Sequence, residues 1–196
     1  MKSLKTLIAS SAIATALIVS PSMAADPNFE VEPVTQGALP GGLIHNPMAI
    51  KWNPEGANKR VSIEEADGVP GGQAIQFRVR RKSGKPWDIR LRAPYDNNVS
   101  AGEQIEVYFW ARATKLPKGK DAAKIGVVVG RDKEPYDTIV NNEIMPTTDW
   151  KMYRVTGTAE RDFPASESEM GFNFGFEKQT VQLGPFYAVT LGQTAE

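Results

Sequence analysis

Apolar and polar residues alternate with a period of two along much of this chain, most clearly from Glu103 to Ala113, E-Q-I-E-V-Y-F-W-A-R-A. Ile105, Val107, Phe109 and Ala111 form one set, and Glu106, Tyr108, Trp110 and Arg112 the other. Successive side chains of a strand point to opposite faces, so this stretch has one apolar face and one polar, aromatic face. Gly102 and Glu103 open it, and Lys115 to Gly119, K-L-P-K-G, closes it with turn chemistry. The pattern predicts a central strand of an antiparallel β-sandwich.

The same signature recurs on both sides. Val61 to Ala66 is a short strand. Ala74 to Arg80 sets Ile75, Phe77 and Val79 against Gln76, Arg78 and Arg80, and Trp87 to Ala93 sets Ile89 and Leu91 against Asp88, Arg90 and Arg92. Ala123 to Val129 is a β-branched run suited to burial on both faces. Tyr136 to Ile144, Trp150 to Thr158, Glu169 to Phe176 and Thr180 to Leu191 complete the set, with Met170, Phe172, Phe174 and Phe176 in strict alternation. Strands separated by turns, with no segment of 3.6 period, predict an all-β sandwich or jelly roll. Residues from Asp26 to Asn58 are rich in Pro and Gly and predict an irregular segment laid along the sandwich.

The chain opens differently. Lys2 and Lys5 precede an apolar run of 13 residues, Leu7 to Val19, and Ser22 and Ala24 stand at the small-residue positions of a cleavage site. Residues 1–24 read as a secretory signal peptide, and the run is short for a membrane span of roughly 20 residues. Residues 25–196 then form a single domain, exported to the periplasm or the medium. Its 23 basic and 23 acidic residues become 21 and 23 without the signal, a net charge of −2. Such a balance gives no reason to expect nucleic acid or an anionic membrane as partner. The chain has no Cys, so neither disulfides nor thiolate metal sites support it.

Candidate catalytic groups are sparse. The single His, His45, lies in L-I-H-N-P, and no nucleophile elbow, zinc motif or phosphate loop is present. Glu106 with Glu143 or Glu169 could serve as a glycosidase pair, but among 23 acids some pair always fits. Binding has better candidates. Sugars present apolar C–H faces and hydroxyl edges, which suit aromatic rings beside planar polar groups. Trp87 follows a Gly-Lys-Pro turn at a strand entrance, and Tyr136 follows the loop G-R-D-K-E-P, so both rings are placed to leave the core and border a groove. Trp52 and Trp150 read as packing residues. The polar sides of three strands would collect Gln76, Arg78, Arg80, Asp88, Arg90, Arg92, Glu106, Tyr108, Trp110 and Arg112 on one face if the strands share a sheet. That face is either a solvated set of cross-strand ion pairs or a sugar site favouring acidic polymers.

Several stretches together resemble the carbohydrate-binding modules of families four, nine and twenty-two. They are I-E-V-Y-F-W-A-R-A at 105–113, I-M-P-T-T-D-W-K-M-Y-R-V-T-G-T at 144–158, M-G-F-N-F-G-F at 170–176, V-Q-L-G-P-F-Y-A-V at 181–189 and N-F-E at 28–30. The resemblance implies a galactose-binding-like jelly roll with an oligosaccharide groove and no catalysis. It implies Trp87 and Arg90 on one side of the groove and Arg131 and Tyr136 on the other. Many members hold a structural calcium; Glu30 matches one ligand, but Gly184 and Pro185 stand where acids are expected. Members usually adjoin a glycosidase, so this chain is expected to act alone or beside separate enzymes. The expectation is non-catalytic binding of poly- or oligosaccharide, against a small jelly-roll lyase or glycosidase and an adhesion domain for a protein partner.

Overall fold

The computed structural model describes residues 39–193. Eleven strands are present in this span: β1 (Gly42–Leu43), β2 (Asn53–Glu55), β3 (Lys59–Glu65), β4 (Gln73–Val79), β5 (Arg90–Pro94), β6 (Glu103–Lys115), β7 (Ile125–Arg131), β8 (Thr138–Ile144), β9 (Lys151–Thr158), β10 (Ser168–Asn173) and β11 (Thr180–Gln193). One sheet has the order β3-β4-β11-β6-β9, with β1 also paired to β11, and the other has the order β2-β5-β10-β7-β8. Every strand pairing is antiparallel. We call them sheet A and sheet B.

The alternation of β6 does what its sequence predicts. Ile105, Val107, Phe109, Ala111 and Ala113 are buried and face the partner sheet. Met170 and Phe172 of β10 meet them from the other side, and Phe109 and Phe172 touch edge to face with centroids 5.0 Å apart. Phe77 and Phe174 stack at 4.0 Å. Two sheets with one apolar face each can bury those faces only against one another, which makes the sandwich.

Among the strands that begin later than the alternation suggests are the two that carry the candidate rings at their entrances. Pro86 to Asp88 curls into a single 3₁₀ turn, closed by the Asp88 N–H donating to Lys85 O at 3.1 Å and the Lys85 N–H donating to Asp88 Oδ2 at 2.9 Å. Trp87 therefore stands on a turn, and β5 begins at Arg90. Tyr136 likewise precedes β8, with φ of +59° and its N–H donating to Lys133 O at 2.8 Å.

The polar sides of β4, β5 and β6 do not share a face. β4 and β6 belong to sheet A, and β5 belongs to sheet B. The chain crosses between sheets in the connection carrying Trp87, so Arg90 and Arg92 point away from the core on one side of the sandwich. Gln76, Arg78, Glu106 and Arg112 lie on the opposite side. The same crossing separates Glu106 from Glu143 and Glu169, which lie on β8 and β10 of sheet B. The core stands between the members of either proposed acid pair. The signal peptide, N-F-E at 28–30 and Glu30 lie outside the described residues.

Candidate functional site

The outer face of sheet B is built from three rows in register. Arg90, Asn173, Gly126 and Glu143 form one row; Arg92, Gly171, Val128 and Asn141 form the next; Pro94, Glu169, Gly130 and Thr138 form the third. Three of the six positions on β10 and β7 in these rows are thus glycine, Gly126, Gly130 and Gly171, so the middle of the face carries few side chains. Two of these glycines are required by the backbone. A Cβ on Gly171, with φ of +151°, would lie 2.0 Å from the carbonyl oxygen of Leu91. A Cβ on Gly130 would lie 2.4 Å from the Asp137 carbonyl oxygen, where an extra residue of β8 bulges between Val140 and Thr138. Close strand approach at these points leaves a shallow trough along the sheet.

A charged network walls the β2–β5 side. Arg90 Nε donates to Glu55 Oε2 at 2.6 Å, and Arg90 Nη1 lies 3.4 Å from Glu169 Oε1. Arg92 Nε lies 2.8 Å from the same Glu169 oxygen, and its Nη2 donates to Asn173 Oδ1 at 2.8 Å. Arg92 is 5% exposed, and its Nη1 is buried with no hydrogen-bond partner among the described residues. It therefore acts from beneath, holding Glu169 and Asn173 in place. Arg90, Glu55 and Glu169 offer their free edges to the trough, with side chains 31%, 35% and 17% exposed. Burial pushes the Glu169 carboxyl above its ordinary range, against the pull of Arg92 and Arg90. Lys124 and Glu143 pair at 2.5 Å at the same end as Arg90 on the β8 side.

Trp87 and Tyr136 are 53% and 61% exposed, and among the described residues they are the only exposed aromatic side chains. Trp87 precedes the Arg90 end of β5, and Tyr136 precedes the Thr138 end of β8. β5 and β8 are separated by β10 and β7, and those two ends lie in opposite outer rows. The rings accordingly stand at diagonal corners of the face, about 20 Å apart by strand spacing and rise. Lys85 Nζ lies over the Trp87 ring at 5.6 Å. A left-handed backbone is costly for an aromatic residue, and Tyr136 adopts it where the loop presents the ring to solvent.

Arg131 has a different place. It is in register with Ser168, and its Nη1 lies 3.6 Å from Glu167 Oε2 while Nη2 donates to Asp162 O at 3.4 Å. Its guanidinium lies near the buried Tyr95 and ties the end of β7 to the loop 159–167. Sequence reasoning missed Glu55, Glu169 and Asn173 as groove residues. Glu169 and Asn173 had a signal, as the polar complement of Met170, Phe172 and Phe174; Glu55, in N-P-E, had none.

His45 is 5% exposed, and its Nε2 accepts the Ala188 N–H at 3.0 Å. Burial lowers its pKa, and its ring lies 5.5 Å from that of Phe186. It is a packing residue with one hydrogen bond. A groove of about 430 Å³ opens elsewhere, between sheet A and the segment 47–52, lined by Trp52, Ile63, Ile75, Leu183 and Pro185 among others. It holds none of the charged network. Among the described residues no group of three or more His, Cys, Asp or Glu could hold a metal ion.

Comparison with known proteins agrees with the sandwich fold. A CBM4 module is similar in structure, with a TM-score of 0.56 at 17% identity, over 71% of this chain and 94% of that one. The tandem CBM22-1–CBM22-2 domain of Xyn10C from Paenibacillus barcinonensis gives 0.52 at 15% identity, over 83% of this chain and 49% of that one. The arabinose-bound MgGH51 α-L-arabinofuranosidase gives 0.56 at 15% identity, over 74% of this chain and a quarter (25%) of that one. At these identities the likeness concerns the fold. No curated protein of related sequence was found. The carbohydrate-binding domain model CBM_4_9 matches residues 44–178, most of the chain, and the protein belongs to that family of carbohydrate-binding domains.

Proposed function

We propose that this protein is an exported, non-catalytic module that holds a neutral polysaccharide chain along the trough of sheet B. The reading rests on one observation above the rest: the only two exposed rings among the described residues stand at the two ends of a glycine-floored face. A bare floor lets a flat sugar chain approach the backbone. The rings at its corners stack on apolar sugar faces, and the span between them suits a chain of several units rather than one sugar. Arg90, Glu55 and Glu169 present donors and acceptors in fixed positions, as hydroxyl recognition requires. The network pairs its own charges, Arg90 and Arg92 with Glu55 and Glu169, so its field favours an uncharged chain over a polyuronate. The amino-terminal 24 residues serve export and are removed. Modules of like fold occur within glycoside hydrolases, as in the arabinofuranosidase above, which supports a role beside separate enzymes.

Affinity electrophoresis in gels containing xylan or β-glucan tests the reading. The protein should be retarded by a neutral polymer. Trp87→Ala and Tyr136→Ala should each weaken retardation about tenfold, for the loss of about 1.4 kcal/mol of stacking, at an unchanged melting temperature. Retardation unaffected by both changes would place the ligand elsewhere on the molecule. Release of reducing sugar from any retained polymer would overturn the non-catalytic reading.

A further inference from the structure

The cations of this chain are not spread evenly over it. At one end of sheet A, Arg60 lies opposite Arg78, and Arg78 and Lys115 both lie opposite Thr180. These three cations form one outward row across β3, β4, β11 and β6. Arg80 follows on the Arg78 side, and Lys178 stands in the turn that leads into Thr180. All five side chains are exposed, and none has an ion-pair or hydrogen-bond partner among the described residues. The acids of the adjoining turn and loop, Glu177 and Asp121, pair with none of them. At the opposite end of the sandwich the loops 95–102, 132–137 and 159–167 carry Asp96, Asp132, Glu134, Asp137, Glu160, Asp162 and Glu167 against Lys133 and Arg161, and there Glu167 and Asp137 are ion-paired, with Lys133 and Arg161 respectively. Unpaired cations thus gather at one end of the sandwich, while acids outnumber bases in the loops of the other. Like charges directly opposite one another on neighbouring strands oppose pairing, so the Arg60–Arg78 pair is not explained by stability.

We propose that this end of sheet A is a second binding surface, separate from the trough, for an acidic polysaccharide. Neighbouring strands hold the cations at multiples of about 4.8 Å on a flat surface, which suits a polymer with a carboxylate on each repeat. Two of the row's three members are Arg, whose guanidinium fork matches the two oxygens of a carboxylate. None of the exposed large apolar or aromatic side chains belongs to these rows, so the surface offers neither a ring for a nucleic-acid base nor a wedge for a lipid surface. The assignment to a glycan rests on the family; the position of the surface rests on its own charges and not on the trough.

The test compares the full mature chain with the triple variant Arg60→Ser, Arg78→Ser, Lys115→Ser in gels containing polygalacturonate or neutral xylan. The parent should be retarded by polygalacturonate, and the effect should vanish in high salt, which screens exposed charges. The triple variant should bind polygalacturonate about 30-fold more weakly, as loss of three exposed charge contacts implies. Its melting temperature should be equal or higher and its behaviour in xylan unchanged. A parent that ignores polygalacturonate at low salt, or a triple variant that binds it as the parent does, overturns the proposal. Displacement of the polymer by an equal charge concentration of duplex DNA would overturn its assignment to a glycan. Trp87→Ala separates the two surfaces: it should weaken retardation by xylan about tenfold and leave that by polygalacturonate intact.

Discussion

The two outer faces of this sandwich are made by the same rule and put to different ends. Over the middle of sheet A the polar residues satisfy one another. Ser62 Oγ donates to Glu64 Oε1 at 2.6 Å, Gln76 Nε2 donates to Glu64 Oε1 and Gln182 Nε2 to Gln76 Oε1, each at 3.3 Å, and Arg112 Nε donates to Gln182 Oε1 at 2.8 Å. The Arg112 guanidinium then lies 4.8 Å above the Trp150 ring. The turn after β3 folds over this face, where Ala66, Val69 and Ala74 form a small cluster against Trp110 and Trp150. Farther along, the Tyr108 hydroxyl and Arg154 both donate to the buried Glu106, and burial with that bond pushes the Tyr108 pKa up to about 12. Rings and amides on this face are occupied by one another. On sheet B no turn of the described residues is folded over the trough, its floor is mostly glycine, and its two rings face solvent. A sheet face becomes a ligand site when its rings and polar edges are left uncovered; their mere presence in the sequence does not decide it.

Four changes would break or sharpen that contrast. The largest effect is expected from Arg92→Ala, which leaves the half-buried Glu169 without its nearest cation. A loss of about 3–5 kcal/mol in chemical denaturation should accompany loss of glycan binding, because the wall of the trough is no longer held. Next is Gln182→Leu on sheet A. It removes the link between Arg112 and Gln76, and should lower stability by about 1–3 kcal/mol while leaving xylan binding as it was. If xylan binding fell with it at a temperature where the variant is folded, the separation of the two faces would be wrong. Tyr136→Gly should act in the opposite sense. Glycine accepts φ of +59° without strain, so stability should hold or rise, by up to about 1 kcal/mol, while binding weakens.

The smallest effect concerns pH. The folded pKa of Glu169 is raised, chiefly by burial. Its contribution to stability is therefore fully present below the unfolded carboxylate value and is lost as pH rises through the folded one. Protonation should remove its pairing with Arg92 and Arg90 and weaken glycan binding at a pH above the usual glutamate range. Glu169→Gln should flatten both profiles, measured by titration of xylan retardation and of the denaturation midpoint.

Much of this architecture was legible beforehand. The alternation in β6 and β10 marked their buried sets, Ile105 to Ala113 and Met170 to Phe172, because a half-buried strand must separate apolar from polar residues by parity. Trp87 and Tyr136 were legible as exposed rings because each follows turn chemistry that interrupts a strand. The sharing of sheets was not legible. Parity says which residues of one strand face together and nothing about which strand lies beside it, so the polar sides of β4, β5 and β6 merged into one imagined face. The resemblance carried Arg131 to the groove with its loop; in the structure it is in register with Ser168 and pairs with Glu167 at the end of the sandwich.

The sequence by itself determined the β class, the two-faced strands, the aromatic core and the two rings that escape it, since all of these follow from local periodicity and turn residues. Tertiary structure alone decided the rest: that Glu55, Arg90, Arg92, Glu169 and Asn173 form one wall, that Gly126, Gly130 and Gly171 form one floor, and that Arg60, Arg78 and Lys115 form one row. Each of these sets joins residues from strands far apart in the chain. Only the pairing order and register of the sheets bring them within reach of one another.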